Sequence, residues 1–341
     1  MRLKLVLISS FVYFSYCTAA SITNSTDTIV KKEEEHHRHH HHHHRHHHYR
    51  QYGPRFRSVF AFGDSLTDNN AFEYLYNSRD VEIDITSLHP NSTKKLKRYS
   101  NGPLWIEYLA DLLDHADLYN FARTAATVNN SLVDRHQIPD IIDQVNRYIT
   151  SKAFYKHQRE ALHLIWAGGN DLNDIFKLYL NDGNNRTETI DGIISSLFNE
   201  VEILQATGAK YIILMNVNPI QEIPDHYHQS AEQKNQLKAL IYYFNAKLKA
   251  AIETFQVQQE NTNDSDSIDS FQVAYFDTYQ WFESSFPADI LAVNDGKTCQ
   301  EGNDCGDLIW WDILHFTTKV YSSLAQALFN FILCKEWLVD A

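Results

Sequence analysis

Several stretches of this chain carry side chains that could act together. Phe60-Ala61-Phe62-Gly63-Asp64-Ser65-Leu66-Thr67-Asp68 reads as an apolar strand running into Gly-Asp-Ser. A serine just past the carboxyl end of a strand in an open parallel sheet sits where ligands bind, as a nucleophile or simply as a helix N-cap. Trp311-Asp312-Ile313-Leu314-His315 sets a carboxylate three residues from an imidazole. On one turn the carboxylate can orient the ring, although an aspartate starting a helix beside an unrelated histidine has the same spacing. Ile165-Trp166-Ala167-Gly168-Gly169-Asn170-Asp171 is a strand entering a glycine turn. There the Asn170 amide can donate to a developing oxyanion, while Gly-Asn-Asp also suits a plain turn. In Tyr119-Asn120-Phe121-Ala122-Arg123-Thr124-Ala125-Ala126 small residues follow another strand, and small side chains let a backbone N–H approach a ligand.

The elements that must position these residues begin at Arg57. From there β-branched and aromatic runs alternate with helical patterns, the signature of a parallel sheet flanked by helices. The strands fall at Ser58–Phe62, Leu118–Ala122, Leu162–Ala167, Tyr211–Val217 and Gln272–Phe276. Leu104, Trp105, Tyr108, Leu109 and Leu112 share one helical face after Pro103, and Val320, Leu324, Leu328 and Phe331 share another. Asn69–Ser100 is irregular and polar, an insertion suited to shaping a cleft. Asn261–Ser270 reads as a surface loop.

The net charge of −13 leaves no long basic field for nucleic acid. Apolar residues at 43% allow a sizeable core. Leu5–Tyr16 is too short to span a bilayer, so stable membrane insertion is not expected. With Arg2 and Lys4 before it and Thr18-Ala19-Ala20 after it, the run has the layout of a secretory signal peptide over residues 1–20. Residues 21–56 form a segment that builds no core, with histidines from His36 to His48 broken only by Arg38 and Arg45. This tract is either a disordered leader or a transition-metal binder. Residues 57–341 suit one α/β domain.

Removal of Cys17 with the leader would leave Cys299, Cys305 and Cys334. Cys299 and Cys305 bracket a turn-rich stretch that could close as a disulfide, with Cys334 buried in the last helix; a zinc site is the weaker reading. Asn24, Asn91, Asn129, Asn185 and Asn263 begin glycosylation acceptors, mild support for an exported glycoprotein. His163 reads as a core histidine, and His226 and His228 as the cover of a loop surface. Trp310 and Trp311 either line an acyl or alcohol site or pack beneath the His315 loop.

Order and placement of these motifs together resemble the GDSL, or SGNH, hydrolase family from about Ser58 to the end. The resemblance rests on Gly63-Asp64-Ser65-Leu66, Asn120-Phe121-Ala122, Gly169-Asn170-Asp171 and Asp312-Ile313-Leu314-His315. Arg98-Tyr99-Ser100-Asn101-Gly102-Pro103-Leu104-Trp105 looks like a segment of its fungal and plant-type members. The family implies a three-layer α/β/α, flavodoxin-like fold with a five-stranded parallel sheet in the order 2-1-3-4-5. It implies Ser65 as nucleophile, His315 as general base and then acid, and Asp312 as the group that holds His315. The N–H groups of Ser65 and Ala125 and the Asn170 amide would form the oxyanion hole. A hydroxyl attacks well only as a base takes its proton, so activity should rise with pH as the imidazole loses its own.

No metal or organic cofactor is called for, and the partner is an ester substrate, lipid or acylated carbohydrate. The expected function is a secreted esterase or lipase acting through an acyl-serine. The alternatives are a carbohydrate acetyl esterase and an impaired member that binds metal or surfaces. Ala125 stands where the family usually carries glycine. Alanine retains the N–H, but if the position needs positive φ its Cβ adds strain. Phe316 replaces a frequent proline, with no chemistry at stake.

Overall fold

The computed structural model describes residues 56–71, 98–135, 137–155, 160–178, 186–262, 271–294, 296–299 and 305–338. The expected leader, the histidine tract, residues 72–97 of the insertion, and Asn24, Asn91, Asn185 and Asn263 lie outside the described residues. Among the described residues no helix is long and apolar enough to cross a membrane.

Five strands form the sheet, most apolar at its centre and carrying polar residues at the edges: β1 (Ser58–Gly63), β2 (Asp117–Asn120), β3 (Ala161–Trp166), β4 (Tyr211–Met215) and β5 (Gln272–Phe276). Neighbours pair in parallel in the order β2-β1-β3-β4-β5, the order the family resemblance implies. Strands buried on both faces read this way because helices cover both sides. The helices are α1 (Trp105–Leu112), α2 (Ile141–Thr150), α3 (Gly169–Leu178), α4 (Arg186–Ala206), α5 (Ala231–Thr262), α6 (Thr278–Ser285), α7 (Ala288–Asn294) and α8 (Thr318–Cys334). Asp140 caps α2 by accepting from the Asp143 N–H, and Asp277 caps α6 by accepting from the Gln280 N–H.

Alternation sorts the core into two faces. Phe60 and Phe62 point to one, where Phe60 stacks on Tyr119 and His163 and both rings meet Tyr148 of α2. On the other, Trp166 meets Trp105 of α1 edge-on and Phe276 meets Phe331 of α8. Of the residues expected on the α1 face, Leu104, Trp105 and Leu109 are buried, whereas Leu112, at the last turn, is 37% exposed. Phe56, assigned from sequence to the histidine-rich segment, is buried against Tyr211, so the packed chain includes it. α5 continues through Asn261 and Thr262, the first two residues of the expected surface loop.

Cys299 and Cys305 form a disulfide. Cys334, the last residue of α8, is exposed rather than buried.

The first crossover carries the chain from β1 to β2, and the next returns past β1 to β3. The order therefore reverses between β1 and β3, where ligands enter open α/β sheets. The last pair of that register is Gly63 with Trp166. The Gly-Asp-Ser turn follows one of these residues and the Gly-Gly-Asn turn the other.

Candidate functional site

Gly63 ends β1 because nothing larger fits: a Cβ there would lie 2.5 Å from the Trp166 carbonyl oxygen. Its N–H donates to Gln144 Oε1 and its carbonyl accepts from Gln144 Nε2, both at 2.9 Å. The chain then turns: the Asp64 carbonyl accepts from the Thr67 and Asp68 N–H groups, and Asp64 Oδ1 accepts from the Leu66 N–H. Ser65 rides on this turn. The Asn120 amide, at the end of β2, donates to the Thr67 carbonyl and to Asn69 Oδ1. The serine turn is thus braced from two neighbouring segments.

His315 reaches Ser65 across 250 residues of sequence, its Nε2 lying 2.7 Å from Ser65 Oγ. Its Nδ1 lies 2.8 Å from both oxygens of Asp312. Asp312 and His315 belong to a tight loop, not a helical turn. The Leu314 and His315 N–H groups donate to Asp312 Oδ1, and a bridge between Trp310 and Phe316 closes the loop's neck. Trp310 is buried, stacked on Phe316 at 5.0 Å; it packs beneath the loop, and Phe316 fills the proline's place as part of that packing. Trp311 is half-buried. The Tyr99 ring leans on His315 at 4.8 Å.

Segment 98–103 holds this loop from outside. Ser100 Oγ donates to the Phe316 carbonyl, the Thr318 N–H donates to Asn101 Oδ1, and Thr318 Oγ1 donates to the Pro103 carbonyl. Arg98 Nε and Nη2 each donate to one oxygen of the buried Glu107 carboxylate of α1, both at 2.7 Å.

Asn170 opens α3, and its Nδ2 donates to the Ala126 carbonyl at 2.9 Å, leaving its second N–H for another acceptor. Ala125 holds φ 65°, so the Cβ does carry the strain that a glycine would avoid. Asp68 ties this loop to the serine turn: its Oδ2 accepts from the Thr124 N–H at 2.8 Å and from Thr124 Oγ1 at 2.7 Å. Among the described residues, the Ser65 and Ala125 N–H groups have no protein acceptor. An open groove lined by Ala125, Asp134, Arg135, Gln137 and Ile138 borders the loop.

Asp64 and Asp171 lie buried under these turns. Burial pushes Asp64 up to about 6, against opposing contributions from the Leu66 N–H and the charges of His315 and Arg135. It pushes Asp171 up to about 7, although the Val128 N–H donates to its carboxylate. For Asp312 burial acts upward, but His315 and the Leu314 and His315 N–H groups together outweigh it and hold the carboxyl below its ordinary value. An ionised Asp312 beside Nδ1 leaves the Nε2 lone pair facing the Ser65 hydroxyl, an arrangement able to accept the serine proton.

The structure brings Ser65, Asp312 and His315 into one hydrogen-bonded chain, and braces Ala125 and Asn170 beside each other through Ala126. Sequence reading missed the supports Gln144, Glu107, Arg135 and Asp174; Glu107 meets Arg98 across 9 residues, Arg135 meets Ala125 across 10 and Asp174 across 39, and Gln144 meets Gly63 across 81, pairings that no motif marks. His163 is a core residue, with Nε2 2.9 Å from the Tyr148 hydroxyl and burial pushing it down to about 3. His226 does not cover a surface: it is buried edge-on against Phe176 and paired with Gln229, while His228 is exposed. Asn129 is half-buried, its side chain bonded to the Ser131 N–H and to Ser196, which is not how a free glycan acceptor sits. Among the described residues no His, Cys, Asp and Glu group of metal-binding geometry occurs.

Residues 59–328 match the GDSL-like lipase/acylhydrolase family. The chain is 25% identical over 288 residues to an acetylesterase of Thermothelomyces thermophilus, covering 79% of this chain and 86% of that one. It is 24% identical over 292 residues to the thermolabile hemolysin of Vibrio parahaemolyticus, covering 79% of this chain but only 62% of the hemolysin. An acetylesterase of Hypocrea jecorina is 27% identical over 177 residues, about half of each chain at 49% and 49%.

Proposed function

We propose, from the premise that this chain belongs to the GDSL-like lipase/acylhydrolase family and is a carboxylic ester hydrolase, that it cleaves esters of small acyl groups through an acyl-Ser65 intermediate. The observation that carries the mechanism is the chain from Ser65 Oγ to His315 Nε2 at 2.7 Å and from His315 Nδ1 to Asp312 at 2.8 Å. Ser65 Oγ attacks the ester carbonyl carbon as His315 Nε2 takes its proton. The carbonyl electron pair moves onto oxygen, where the Ser65 and Ala125 N–H groups and the Asn170 amide receive the charge. The adduct collapses, and the alcohol leaves with the proton from His315. Water then attacks the acyl carbon as His315 takes its proton, the bond from that carbon to Ser65 Oγ breaks, His315 returns the proton to Oγ, and the acid is freed.

The two acetylesterase relatives support a small acyl group. A second reading, a longer acyl chain, is favoured by apolar side chains beside His315: Ile313 is 52% exposed, Leu314 39% and Tyr99 36%. Export after removal of residues 1–20, with residues 21–55 as a leader to the packed domain that begins at Phe56, is part of the proposal. The Cys299–Cys305 disulfide supports it, since such bonds persist in oxidising compartments.

Initial rates on p-nitrophenyl esters from acetate to palmitate, for wild type and Ser65→Ala, test the reading. Turnover greatest on acetate and lost in the variant is the expected result. A maximum on long esters selects the second reading, and undiminished turnover by the variant overturns the mechanism.

A further inference from the structure

Ala125 sits in a backbone region that alanine does not favour, with φ 65°. The bonds that keep it there surround it on both sides. On the near side, the Thr124 N–H and hydroxyl are fixed on Asp68. On the far side, the Ala126 N–H donates to the Arg123 carbonyl, and the Ala125 carbonyl accepts from Arg135 Nη1 at 2.8 Å. The peptide unit carrying the Ala125 N–H is therefore strung between two anchored points, and Arg135 supplies the later one.

Arg135 is itself aimed. Its Nε lies 2.7 Å from Asp174 Oδ2 and its Nη2 2.9 Å from Asp174 Oδ1, a two-point grip that turns Nη1 toward the loop. Both side chains are largely shielded, at 20% and 22% exposure. Asp174 lies on α3 one turn after Asn170, and residues four apart share a helix face. One helix thus presents the Asn170 amide to the loop directly and steers the Ala125 N–H through Arg135.

We propose that Arg135, aimed by Asp174, is a positioning residue that holds Ala125 in its left-handed conformation and so points the Ala125 N–H at the reacting carbonyl oxygen. This rests on the ester-hydrolase reading of the same site. Arg135 does not touch the substrate in this account; it acts through the Ala125 carbonyl.

Arg135→Gln and Asp174→Asn test it, each checked for folding by thermal melt, with p-nitrophenyl acetate as substrate. A misaimed donor is expected to lower kcat about 10–100-fold, less than the loss of a whole donor, and to leave KM within about threefold. The inhibition constant of a trifluoromethyl ketone, whose serine adduct carries an oxyanion, should rise by the same factor as kcat/KM falls. Adding Ala125→Gly to Arg135→Gln should recover part of kcat, since glycine adopts this φ without strain.

Folded variants with wild-type kcat and wild-type ketone affinity would overturn the proposal, as would a loss of kcat with unchanged ketone affinity. If Arg135→Gln does not fold, Asp174→Asn decides by the same two readouts. Ser65→Ala, assayed in parallel, separates the two levels: turnover surviving it refutes the ester-hydrolase mechanism, whereas turnover lost there but normal in Arg135→Gln refutes only the positioning role.

Discussion

Replacing Ala125 and its neighbour Ala126 by glycine, one at a time, should change stability in opposite directions. Ala125 has φ 65° and is half-buried, whereas Ala126 is fully buried and is not among the residues of positive φ. At Ala125 the removed Cβ relieves about 1–2 kcal/mol of left-handed strain. Glycine's greater freedom in the unfolded chain takes back roughly 0.5–1 kcal/mol. Ala125→Gly should therefore be more stable by about 0.5–1 kcal/mol, a rise in Tm of roughly 1–4 °C for a domain of this size. At Ala126 there is no strain to relieve. Glycine there loses about 0.8 kcal/mol of buried methyl contact and roughly 0.5–1 kcal/mol of backbone entropy, so Ala126→Gly should be less stable by about 1.5 kcal/mol. Urea unfolding followed by tryptophan fluorescence reads both. Equal destabilisation by the two substitutions would refute the assignment of strain to residue 125.

Three other perturbations follow from the same structure. Asp171→Asn keeps an acceptor for the Val128 N–H but cannot ionise. Because burial raises the folded carboxyl to about 7, the wild type should lose stability, on the order of a few kcal/mol, as pH rises from about 4 to about 7. The variant's advantage should be absent near pH 4 and complete above pH 7 in melts across that range. Arg98→Leu strands the buried Glu107 carboxylate, which among the described residues then retains the Leu104 N–H alone, and should lower stability by about 3 kcal/mol in chemical denaturation. Cys299→Ala with Cys305→Ala opens a short loop whose closure is worth roughly 2 kcal/mol. The Cys299 N–H donates to the Trp311 carbonyl beside the Asp312–His315 loop, so a thermal melt should fall and kcat should fall with it.

What was legible in the sequence was what local pattern encodes. The strand centres around Phe60, Tyr119, Leu164, Ile213 and Ala274 stand out because strands buried on both faces are apolar throughout. Their ends are less so: β2 stops at Asn120, two residues before the apolar run does, because the Asn120 side chain takes the Ala122 N–H and turns the chain toward the site. β3 stops at Trp166 because Gly168, at φ +110°, begins the turn into α3. Asn261 and Thr262 look like loop by composition, yet the helix begun at Ala231 carries through them.

Of the proposed site, Ser65, Asp312, His315, Asn170 and Ala125 are picked out in the sequence by residue type after a strand or in a short motif. The supports are not. Gln144 meets Gly63 across 81 residues and Arg135 meets Asp174 across 39; each pairing follows from how α2 and α3 cross the sheet ends, which no short window contains. His226 misled because its flanking Asp225 and Tyr227 are exposed while its own ring turns inward onto Phe176.

The central claim is that Ser65 carries the acyl group between two half-reactions. Rapid mixing of the enzyme with excess p-nitrophenyl acetate, quenched in acid and followed by peptide mass mapping, tests it most directly. The account predicts an acetyl adduct on the peptide containing Ser65 and on no other, absent from Ser65→Ala. Steady hydrolysis with no adduct on that peptide, or an adduct on a different residue that persists in Ser65→Ala, would contradict it.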